Sequence, residues 1–130
     1  VRDEPKSWRR SIYLQVRRSA KHPMLRLFDP PDTERSVGAR STGATAEGAL
    51  FALNAPFVWD LAKRLAKRVE AEVGSEPERQ VVHLYRRLLS RPPTDEETMI
   101  GLGLLKNEED QALAKYCQLL LGLNEFLYVN

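Results

Sequence analysis

The 130-residue chain is 42% hydrophobic and 29% charged, an ordinary globular composition with length for about one domain. No apolar run approaches the roughly 20 residues a membrane helix needs, and a lone cysteine excludes an internal disulfide, a CxxCH haem attachment and a cysteine-based zinc site. The net charge of +2 conceals a gradient: ten Lys/Arg face five Asp/Glu over residues 1–40, four face four over 41–74, and six face nine over 75–130. A basic beginning and an acidic end suit an anionic partner, and suit equally two halves that attract one another.

In chain order, Ile12, Leu14 and Val16 alternate with Tyr13, Gln15 and Arg17, as in a strand with two different faces. Trp8, Ile12 and Val16 also fit a helical i, i+4 stripe, but the β-branched and aromatic content favours a strand. SVGARST (36–42) is then its available partner in a small two-stranded ribbon. Ala46 to Leu53 reads as a short helix with Leu50 and Leu53 inward. In PFVWDLAKRLAKRVEAEVG the residues Phe57, Leu61, Leu65, Val69 and Val73 recur every four positions, with Val58 and Ala62 widening the stripe. Pro56 opens that helix and Gly74 stops it.

Ser75-Glu76-Pro77-Glu78 fits a capping box, in which a hydroxyl and a carboxylate satisfy backbone donors reciprocally. The helix it opens carries Val81, Val82, Tyr85, Leu88 and Leu89. Thr94 to Glu97 is a second capping box, starting a helix through Ile100 and Leu104 in which Gly101 and Gly103 either weaken the helix or admit another backbone. After NEEDQ a last helix uses Leu113, Tyr116, Cys117, Leu120 and Leu123, and Asn124 to Leu127 continues or frays it. The expected fold is mainly α: about five helices in a bundle over 46–130, joined by short connections, after a basic segment at 1–45.

The phrases RRSIYLQVRRS, MLRLFDPPD, ARSTGATAEGALFALNAPFV, LLSRPPTDEE and CQLLLGLNEFLYVN occur in this order. Together they resemble the bacterial, planctomycete-type domain-of-unknown-function family 1553. The resemblance implies the C-terminal domain of a large, exported, multidomain protein, with no catalytic residues to carry over. It implies upstream domains of the parent chain as partners and a periplasmic or extracytoplasmic location. The chain begins at Val1, in keeping with a piece of such a parent. Two positions depart from the family pattern. Ser36 stands where relatives often have cysteine, and Glu47-Gly48-Ala49-Leu50 replaces a Pro-Gln-Ala-Leu phrase.

Three constellations could carry chemistry. Asp29, Asp32 and Glu34 in FDPPDTE could ligate Ca²⁺ or supply an acid and a base, and with Arg40 would mark a hydrolase cleft for a carbohydrate or ester. The spacing is not that of an EF-hand, and Asx residues beside prolines ordinarily bond backbone N–H groups of a turn. Arg9, Arg10, Arg17, Arg18 and Arg40 could follow an anionic polymer. On a strand, however, the arginine pairs divide between faces, which favours ion pairing with the acidic half or with a neighbouring domain over nucleic acid. Asn54, between two apolar helices, is expected to cap one or satisfy a carbonyl of the other.

Cys117, on an apolar face, reads as a packing thiol, and Trp59 as a packed helix flank. His22 and His83 lack a ligand at metal spacing, so no metal or cofactor is expected. The reading that remains is a non-catalytic helical module docking with other domains. It requires an exposed apolar patch of several hundred Å².

Overall fold

The computed structural model describes residues 46–106 and 110–127, and outside these only Tyr13. Six helices follow in order: α1 (Ala46–Asn54), α2 (Pro56–Val73), α3 (Pro77–Leu89), α4 (Asp95–Lys106), α5 (Ala112–Leu121) and the single turn α6 (Asn124–Leu127). There is no strand among the described residues. The expected ribbon, with its strands near 12–16 and 36–42, lies outside them; Tyr13 itself sits exposed in a 3₁₀ turn. Residues 49–130 form one compact unit.

Local chemistry sets the helix ends. Pro56 occupies the first turn of α2, where its missing N–H has no intrahelical acceptor. Gly74 ends the helix at φ 78°, its N–H donating to Glu70 O at 2.9 Å. The first capping box does not form. Glu76 is the N-cap of α3, without a side-chain cap bond, and Pro77 opens the helix. The amide of buried Gln80 instead reaches back to Gly74 O at 2.7 Å, joining the start of α3 to the end of α2. The second box does form. Thr94 N–H donates to Glu97 Oε2 at 2.7 Å, and Glu97 N–H donates to Thr94 Oγ1 at 3.2 Å.

The core joins α2, α3 and α5. Ala62, Ala66 and Val69 meet Val81, Leu84 and Tyr85, and Leu113, Ala114, Tyr116, Cys117 and Leu120 complete the cluster. α2 packs most extensively against α5, and alanines at 62, 66 and 114 suit close approach of helix axes. Small side chains therefore displace several expected core leucines. The buried stripe of α2 is Val58, Ala62, Ala66 and Val69, which leaves Leu61 exposed. In α1 it is Ala52 that is buried, while Leu50 and Leu53 are 59% and 53% exposed. Gln118 Nε2 donates to Leu53 O at 2.8 Å, fastening the end of α1 to α5. Leu84, outside the expected set, is fully buried, whereas Val82 is only half-buried. Gly122 ends α5 before Leu123, which is exposed.

The space beside Gly101 is filled by side chains rather than backbone. A Cβ there would lie 2.6 Å from Tyr116 Oη and 2.9 Å from Val81 Cγ2. At Gly103 nothing comes within 4 Å.

Candidate functional site

Two polar clusters and one groove stand out on the 49–130 unit. The first cluster surrounds Glu72, one residue before the end of α2. Its Oε1 accepts from Arg68 Nε at 2.8 Å, and its Oε2 accepts from Arg87 Nη1 at 2.6 Å and lies 2.9 Å from His83 Nε2. The Arg68 guanidinium first, then His83 and Arg87, hold this carboxyl below the usual carboxylate range. A carboxylate so engaged has little capacity left to act as a base.

The second cluster centres on Arg91, in the link between α3 and α4. Its guanidinium forks onto Glu97 (2.7 and 2.8 Å) and Glu125 (2.7 and 2.8 Å), and Nη1 also donates to Pro92 O at 3.2 Å. Its Cζ lies 5.3 Å from the centroid of the Tyr85 ring. Arg91, helped by the Thr94 N–H, lowers the Glu97 pKa to about 2 and also lowers that of Glu125. Beneath the cluster the Tyr116 hydroxyl is buried without a hydrogen-bond partner. Burial, with the neighbouring Tyr85 phenol, pushes its pKa up. The arrangement is a clasp: Arg91 binds the first turn of α4 to α6 and has its donors occupied in doing so.

The second cluster draws on phrases that marked the sequence. Arg91 and Glu97 belong to LLSRPPTDEE, and Glu125 to the phrase that begins at Cys117. Residues 1–105 match the family described as Protein of unknown function (DUF1553). The chain belongs to the DUF1553 family. No curated protein and no solved structure matches it. The matched stretch of this DUF1553 chain ends inside α4, so α5 and the clasp partner Glu125 lie beyond it.

Of the residues singled out from sequence, Arg9, Arg10, Arg17, Arg18, Arg40, Asp29, Asp32 and Glu34 lie outside the described residues. Asn54 is exposed at the end of α1, and its Nδ2 donates to Leu50 O at 3.0 Å, so it satisfies a carbonyl of its own helix. Trp59 flanks the core with Lys63 Nζ 5.9 Å from its ring centroid. Cys117 is fully buried, and burial pushes its thiol pKa up to about 12. Sequence reasoning missed the partnership of His83, because its acid stands eleven residues away on another helix. Among the described residues there is no group of three or more His, Cys, Asp or Glu side chains that could hold a metal. No helix among them is long and apolar enough to cross a membrane.

The groove runs along the outer stripe of α3, with a volume of about 450 Å³. Val73 from the end of α2 and Thr98 from α4 contribute to its lining. Val82 forms its floor, and Arg79, His83 and Arg86 line the stripe.

Proposed function

We propose that this DUF1553 chain is a non-catalytic helical module that docks with other domains of a larger, exported polypeptide. The observation that carries the reading is the outer face of α4. Met99 is 67% and Ile100 63% exposed, Leu104 is exposed on the same side, and bare Gly103 lies between them. The opposite side of α4 packs at Gly101 and Leu105, so the helix is apolar on both sides, a pattern that belongs to a helix covered on both sides. The two polar clusters satisfy themselves, as architectural networks do, and offer no free nucleophile–base pair. Export and the multidomain setting rest on the sequence resemblance.

The test is oxidative footprinting of Met99. In the parent polypeptide its oxidation by peroxide should be at least about fivefold slower than in this chain alone, as burial removes the thioether from solvent. Equal rates would overturn docking at this face.

A further inference from the structure

We infer that the groove along α3 receives an acidic, aliphatic polypeptide segment. The inference rests on the docking reading and names the chemistry of one partner. Arg79, His83 and Arg86 follow one another at i, i+4 and i+7, so they share one stripe of α3. The three are not equivalent. Arg79 Nε is held by Glu76 Oε2 at 2.8 Å, and His83 by Glu72 at 2.9 Å. Arg86, exposed at the groove's edge, makes no ion pair among the described residues.

The nearby guanidiniums of Arg68 and Arg87 are committed to Glu72. The one acid in the groove lining among the described residues, Glu78, stands a turn before Val82 and two turns from Arg86. The groove is thus polarised, with an acid near the start of α3 and an open cation near its end. Between them the half-buried Val73 and Val82 provide an apolar floor. A volume of about 450 Å³ holds a few side chains rather than a whole domain.

The fitting occupant places an aliphatic side chain over Val73 and Val82 and a carboxylate against Arg86. A nucleic acid is a poorer fit, because the single open guanidinium among the described lining residues neutralises few phosphates and the valine floor offers no stacking surface.

The experiment uses a fluorescein-labelled dodecapeptide of glutamate and leucine at helical spacing, titrated with the whole chain and followed by anisotropy. Saturable binding is expected. It should weaken at least about tenfold with Arg86→Glu, and equally when the peptide's glutamates become glutamines. Arg64→Glu, an exposed arginine on α2 outside the groove lining, should leave affinity unchanged.

Absence of saturable binding overturns the inference, as does equal affinity for Arg86→Glu and the parent sequence. Loss of affinity with Arg64→Glu as large as with Arg86→Glu overturns it too, by showing attraction to net charge alone. Tighter binding of a twelve-residue thymidine strand than of the peptide would assign the groove to nucleic acid instead. Met99 protection without peptide binding would retain the docking reading and remove only this inference. Peptide binding that depends on Arg86, with Met99 unprotected, would retain the groove and remove docking at α4.

Discussion

Gly101 and Gly103 stand two residues apart on α4 and meet opposite surroundings. A methyl at 101 would press on the Tyr116 hydroxyl and on Val81 Cγ2, both in the packed core. The tyrosine ring is rigid and buried, so it has little room to yield. Gly101→Ala should therefore destabilise the fold by about 1–3 kcal/mol despite alanine's better helix propensity. Gly103→Ala meets only open space and should stabilise it by about 0.5–1 kcal/mol. Urea denaturation followed by circular dichroism measures both. Tyr116→Phe removes the contacting oxygen, so combined with Gly101→Ala it should recover part of the loss. The same core explains the cysteine. Cys117 is fully buried and its thiol is held neutral, so a disulfide reagent such as DTNB should react with it only after denaturation. Prompt stoichiometric reaction of the native chain would contradict that packing.

At the scale of the element, the starts of α3 and α4 test which punctuation matters. Thr94 makes the reciprocal bonds of a capping box and Ser75 does not. Thr94→Ala should cost about 1 kcal/mol, against less than about 0.5 kcal/mol for Ser75→Ala. Thermal melting of the two variants side by side checks the contrast. The difference also shows what a sequence makes legible. Helix stops and starts at Pro56, Gly74 and Thr94 depend on one residue and its immediate neighbours, and were readable; at the start of α3 the expected Ser75 box gave way to Glu76 and Pro77. The inward face of α1 was not readable, and that of α2 only in part, since Val58, Ala62 and Val69 fall on the expected stripe while Leu61 does not pack inward. Periodicity cannot say that a partner helix will approach closely enough to prefer Ala52 and Ala66 over Leu50, Leu53 and Leu61. The clusters at Glu72 and Arg91 were less legible still, since Arg91 finds Glu125 across 34 residues and two intervening helices. Of the candidate site residues, only Asn54 falls within the described helices. There its amide closes its own helix, an outcome the residue type alone did not separate from a bond to the next one.

For the whole molecule, these local facts combine into a dependence of stability on pH with two separate arms. On the acid side, Arg91 and the Thr94 N–H lower Glu97 from an ordinary 4.5 to about 2. Glu72 and Glu125 are shifted in the same direction by Arg68 and Arg91. A carboxyl with a depressed folded pKa binds fewer protons folded than unfolded, so its stabilisation is present above about 4.5 and is lost as pH falls towards 2. On the alkaline side, burial raises Cys117 from 9.0 to about 12 and moves Tyr116 the same way. Acids with a raised folded pKa act with the opposite sense. The unfolded thiol ionises first, so stability falls as pH rises from about 9 to 12. Urea midpoints measured from pH 2 to pH 11 should therefore describe a plateau between about 5 and 9 that declines on both sides. Glu97→Gln should lower the plateau and flatten the acid arm, so that variant and parent converge towards pH 2. Cys117→Ala should leave the acid arm alone and make the alkaline arm shallower, with Tyr116 and Tyr85, both raised by burial, accounting for what remains. Because the clasp is partly exposed, added salt should reduce the Glu97 contribution, while the alkaline arm, which arises from burial, should hardly respond. An acid arm that persists undiminished in Glu97→Gln would show that the Arg91 clasp does not hold this fold together.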